Sequence, residues 1–175
     1  GIPECGADAL RYGLLAYTQQ ARDISLDVQR VVGYRNFCNK LWNATRFAMS
    51  NLGESFVFEP KNLVQAIDTG NVMDLFILHR LNEAVRSTEQ AMRDFSFASA
   101  VTATYNFWLY DLCDVYLEAI KPIMSGEDPD AKRSSQHVLY ECLHTGLRLL
   151  HPMMPYVTEE LFQRLPNRTQ SDPIE

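Results

Sequence analysis

Three sets of side chains here have the types that chemistry uses, and their spacing argues against catalysis in each case. Asp111, Asp114 and Glu118 are carboxylates of the kind that share acid–base work, yet they stand three and four residues apart along one helical segment. At that spacing they read as solvated or arginine-paired charges on a helix flank. His137, His144 and His151 recur every seven residues, which places them on one helix face. Two turns separate neighbours by about 10.5 Å, too far to share a metal ion, so they read as packing or surface histidines. Cys5, Cys38, Cys113 and Cys142 are widely spaced and form no CxxC pair. Three of them fall in apolar-periodic segments, where a buried free thiol is ordinary, and a reduced, cytosolic setting fits. No glycine loop of the nucleotide-cradling kind and no internal repeat is present.

Recognition chemistry has better support. Val28–Leu52 carries Arg30, Arg35, Lys40 and Arg46 and no acidic residue, in a chain whose formal charge is -6. Outside that stretch 12 basic residues face 22 acidic ones. A basic island in an acidic protein is a candidate anion-binding surface. The stretch contains no proline, Asp27 or Ser25 can cap its start, and Gly53 suits its end. One helix of about six to seven turns is expected.

On a helical projection at about 100° per residue, Val31, Tyr34, Cys38, Leu41, Trp42, Thr45, Ala48 and Met49 share the expected core face. Gln29, Gly33, Asn36, Lys40, Asn43 and Phe47 fall opposite, within roughly 40° of one line. Amides can read base edges, an aromatic can stack a base, and a lysine can meet phosphate or carbonyl, so this stripe suits single-stranded nucleic acid. Periodicity leaves a second reading open, in which Phe47 packs under a neighbouring element and the rest is a solvated face.

The elements that would position this helix are all helical. With 175 residues, 46% hydrophobic, the chain can bury one sizeable core. A first helix is expected over Gly6–Gln20, where Asp8 and Arg11 read as a short exposed charge pair, and a polar turn over Gln20–Asp27 leads to the long helix. Phe56-Val57-Phe58 should tuck against the bundle, and Lys61–Gly70 could hold a short helical turn. Asn71 can cap a third helix to about Asp94, and Ser96 a fourth from Phe97 to about Met124. Pro129 opens a fifth to about Leu150, and a short helix follows Pro155. The fold class is thus all-α, a bundle of about five to six helices. No run of 18 apolar residues suggests a membrane span, and the start at Gly1-Ile2-Pro3 reads as that of an excised piece.

Two stretches carry a family resemblance. GADALRYGLLAYTQQARDISLD at Gly6–Asp27 and RNFCNKLWNATRF at Arg35–Phe47 resemble a class I aminoacyl-tRNA synthetase just beyond its catalytic domain. With GIPECGADALR ahead and HPMMPYVTEELFQRLP at His151–Pro166 behind, the wording is most similar to the eukaryotic valyl type. The isoleucyl and leucyl enzymes share the layout and differ in this wording.

The resemblance implies an anticodon-binding domain. Residues 1–26 would be the junction from the catalytic domain with the first helix, 27–166 the bundle, and 167–175 a frayed exit. It implies valine tRNA, through its anticodon arm, and the catalytic domain of the same parent chain as partners, with no membrane role and a cytoplasmic location. The parent would use ATP with Mg to attach valine. The HIGH and KMSKS signatures of that chemistry are absent here, so no cofactor and no catalytic residue is assigned to this chain. The family's lysine and the phenylalanine seven residues on map to Lys40 and Phe47. A basic residue about ten positions before that lysine maps to Gln29 or to Arg30 beside it, and Asn36 and Asn43 complete the expected site. Two other readings are a helical protein-interaction module and a self-contained enzyme using Asp111, Glu118 and a histidine.

Overall fold

Side-chain capping by the preceding residue opens three of the helices in the computed structural model, which describes residues 3–18, 26–69, 71–167 and 174. The helices are α1 (Ala7–Ala16), α2 (Val28–Leu52), α3 (Pro60–Thr69), α4 (Val72–Arg93) and α5 (Phe97–Asn106). A π-helical segment (Phe107–Tyr116) joins α5 to α6 (Leu117–Ser125), and α7 (Pro129–Leu150) and α8 (Pro155–Phe162) follow. Asp27 starts α2 by accepting from the Gln29 amide at 2.9 Å. Gly53 ends it at φ 77°, a conformation that costs a residue with a Cβ. Asn71 accepts from the Met73 and Asp74 amides, and Asp128 with Pro129 opens α7. No strand occurs among the described residues.

Several expectations are refined. The first helix ends at Ala16, α3 is a full helix, and Ser96 opens α5 without a side-chain cap, its hydroxyl pairing with Ser99 instead. The turn expected at Gln20–Asp27 and the exit at 167–175 lie largely outside the described residues. Phe56 is buried and Phe58 stacks on Tyr140 at 4.7 Å, while Val57 between them faces solvent.

α7 is the spine of the bundle and packs on α2, α3, α4, α5, α6 and α8. At Gly146 it comes so close to the π-helical segment that an added Cβ would lie 3.0 Å from Trp108. The Trp108 indole donates to the Gly146 carbonyl at 3.1 Å. Three elements also meet at Asp74 of α4, which is fully buried. Its carboxylate accepts from Tyr116 Oη at 2.6 Å, Ser135 Oγ at 3.0 Å and Asn71 Nδ2 at 3.0 Å. Burial pushes its pKa up, against the opposing pull of those hydrogen bonds.

The Asp8–Arg11 stretch corrects the reading as an exposed charge pair. Asp8 is buried and accepts from the Tyr156 and Val157 amides at 3.3 and 2.6 Å, capping α8 from the far end of the sequence. Arg11 donates to the carbonyls of Pro152 and Met153. Together they fasten α1 to the chain just before α8 and to that helix's first turn.

Candidate nucleic-acid interface

The apolar face of α2 decides which of its side chains reach solvent. Val31, Tyr34, Phe37, Leu41, Ala44, Thr45, Ala48 and Leu52 are buried. Phe37, left off the expected core face, lies at its heart, with its ring 5.6 Å from Tyr12 and 4.8 Å from Tyr105. Trp42, expected inside, is 39% exposed and carries the Arg164 guanidinium 5.1 Å from its ring centroid. The core face is therefore turned by about 40° from the projected one, at 100° per residue.

That rotation sorts the expected site residues. Gln29, Gly33, Asn36, Lys40 and Asn43 are all exposed, as the stripe requires. Phe47, at its end, is half-buried and packs against the core, which corrects its placement as a freely exposed ring. Its carbonyl is occupied by Ser50 Oγ and Asn51 Nδ2. Lys40 reaches across to the π-helical segment and bonds Asp114 at 3.1 Å, with half of each side chain in solvent. This hydrogen bond raises the lysine's pKa, so it is a full cation. Arg30 is exposed, and its guanidinium lies 4.7 Å from the Tyr17 ring centroid.

Arg35 and Arg46 were read as part of the basic island and then left out of the site. Both are exposed, and among the described residues neither makes an ion pair. They flank Asn36, Asn39 and Asn43 on the side away from Lys40, so the exposed face of α2 is an amide strip between cations. The signal for them was present in the charge pattern. It was lost because the projection was centred on Gln29, not on the true solvent side.

The other candidates are spoken for structurally. Asp111 pairs with Arg80 at 3.0 Å and Glu118 with Lys121 at 2.6 Å, in line with the paired-carboxylate reading. His137 Nδ1 contacts the Arg133 carbonyl at 2.9 Å, and His151 Nδ1 contacts Thr158 Oγ1 at 2.8 Å. His144 stacks on Tyr140. Burial raises the Cys38 and Cys113 thiols to about 11, which leaves them protonated and poor nucleophiles.

This geometry can be set beside known proteins. The family model for the anticodon-binding domain of tRNA ligase matches residues 74–173, covering the helices behind the exposed face. The valine–tRNA ligase of Rattus norvegicus is 55% identical over 173 residues, 99% of this chain and 14% of the relative. That of Caenorhabditis elegans is 51% identical over 98% of this chain and 16% of its own length. The mitochondrial valine–tRNA ligase 1 of Arabidopsis thaliana is 50% identical over 95% of this chain and 15% of its own length. The chain thus spans about one seventh of these relatives. With more than half of its residues inside the family model, the chain belongs to the anticodon-binding domains of tRNA ligases.

Proposed function

We propose that the exposed face of α2 binds the anticodon arm of valine tRNA and presents that tRNA to a catalytic domain in the same parent chain. The parent reaction would be ATP-dependent attachment of valine. The carrying observation is the solvent-facing row Asn36, Lys40 and Asn43 on a 25-residue helix, flanked by Arg35 and Arg46, which make no ion pair among the described residues. Amides supply both donors and acceptors to an unpaired base edge, and the cations supply contacts to phosphate. α1, which packs on α2, is fastened to α8 and the residues before it through Asp8 and Arg11.

The valine assignment is supported by relatives named valine–tRNA ligases at 50–55% identity. Residues 1–26 would then lead in from the catalytic domain. The cytoplasm fits the free cysteines, as would any compartment that keeps thiols reduced. No described helix is long and apolar enough to cross a membrane.

The test is a set of Asn36→Ala, Lys40→Ala and Asn43→Ala variants measured for melting temperature and affinity for valine tRNA. All three side chains are solvent-facing, so melting should stay within a few degrees. Affinity should fall by roughly 1–3 kcal/mol for an amide that reads a base. Unchanged affinity in all three would refute the assignment of this face.

A further inference from the structure

Gly33 on α2 has no folding reason to be glycine. It is exposed, its backbone is helical with no positive φ, and an added Cβ would meet nothing within 4 Å. A glycine inside a helix costs about 1 kcal/mol relative to alanine. An alanine would fit here as far as the protein itself is concerned. A bare stretch of helix surface has a use when something outside the protein must come close to it.

A groove of about 420 Å³ opens beside Gly33, between α2 and the run from α5 into the π-helical segment. That size lies within the roughly 300–1,000 Å³ of ligand sites. Tyr34 and Tyr105 form its floor, edge to face at 6.1 Å. Tyr110 forms a wall, 53% exposed and edge-on to Tyr105 at 6.1 Å. Arg30 and Asn106 stand at the rim, with Arg30 held over Tyr17.

We infer that this groove receives one unpaired nucleobase of the bound RNA, stacked on Tyr110, with its backbone passing over Gly33 and Arg30 meeting its phosphate or carbonyl. The inference rests on the RNA-binding reading of α2. Gly33 belongs both to the groove and to the exposed stripe, one turn from Asn36 and two from Lys40. An exposed aromatic beside an arginine is how single-stranded RNA is held in general, because every base has a π-face and every linkage a charge. An apolar peptide would bring no anion to the Arg30 guanidinium at the rim, whereas every RNA linkage carries one.

Two substitutions separate the outcomes. Gly33→Leu puts a side chain into the groove from a Cβ that stands clear of the protein and improves helix propensity, so melting should stay or rise. Tyr110→Ala removes the stacking wall from an exposed position. Each should weaken binding to a valine anticodon hairpin roughly 5- to 100-fold, the range spanned by one stacked base. Neither should change the weak binding to a fully paired RNA duplex. If both bind the hairpin like the parent while Lys40→Ala and Asn36→Ala are weakened, the groove is empty and the helix reading stands. If all four bind like the parent, both readings fall. Equal losses on hairpin and duplex would show a phosphate contact without a base and overturn the inference.

Discussion

Asp114→Asn should tighten RNA binding, a result expected only if Lys40 is used. In the free protein Lys40 is tied to Asp114 at 3.1 Å, with side-chain exposures of 51% and 47%. A pair so exposed contributes at most about 1 kcal/mol to folding, so melting should barely move. Its effect on RNA has two parts. Freeing the ammonium recovers up to about that same 1 kcal/mol. Removing the carboxylate also relieves repulsion of a phosphate about 7 Å away, worth roughly 0.6 kcal/mol in water. Together they predict affinity about 3- to 15-fold tighter at low salt. The gain should shrink toward about twofold near 0.15 M, where the screening length is about 8 Å. Fluorescence anisotropy of labelled valine tRNA across salt concentrations would measure it in the parent, Asp114→Asn, Lys40→Ala and the double variant. The gain should fall to its long-range part once Lys40 is absent. Weaker binding by Asp114→Asn, or an identical gain with and without Lys40, would refute the reasoning.

Phe47→Ala should cost about 1–2 kcal/mol of stability, below the roughly 3–5 kcal/mol of a fully buried phenylalanine, because the ring is only half-buried. Denaturant unfolding checks this, and a loss above about 3 kcal/mol would leave the ring no face for RNA. Asp74→Asn should flatten the stability–pH curve. The raised pKa of Asp74 makes its contribution complete below the ordinary carboxylate range, and that contribution is lost as pH rises through the raised value. The difference between parent and variant melting temperatures from pH 4 upward reads it. Gly146→Ala should destabilise by about 1–3 kcal/mol through overpacking, since its Cβ would meet Trp108 at 3.0 Å and Phe107 at 3.1 Å. A neutral effect would mean that α7 can shift freely. The salt slope of tRNA binding should be no steeper than roughly -3 to -4, as four cations on α2 allow.

The parts of this molecule legible in sequence are those set by local chemistry. The limits of α2 follow from Asp27 and Gly53, and the starts of α4 and α7 from Asn71 and Pro129. Exposure of Gln29, Asn36, Lys40 and Asn43 followed from residue type and helical period. The rotation of the core face toward Phe37 did not. It depends on Tyr12 and Tyr105, which arrive from two other helices. Phe47 was drawn inward by the same turn. Asp8 meets Tyr156 and Val157 almost 150 residues away, and no local pattern marks such a cap. The π-helical stretch was equally hidden. Apolar residues recur along Phe97–Met124 at spacings that suit either winding, and the close approach of Gly146 to Trp108 belongs to the tertiary structure. Arg35 and Arg46 were visible as charge, but that they make no ion pair among the described residues needed coordinates.

The central claim is that this helix face reads an anticodon, and one comparison addresses it directly. The affinity of the protein for valine tRNA is measured beside that for the same tRNA with a scrambled anticodon, at one salt concentration. Phosphate contacts are common to both molecules, so any difference reports contacts to bases. Readout through the amide strip predicts binding to the scrambled tRNA weaker by about 1–3 kcal/mol per base read. Asn36→Ala and Asn43→Ala should narrow that gap. Equal affinities for the two tRNAs, with the variants unchanged, would contradict it.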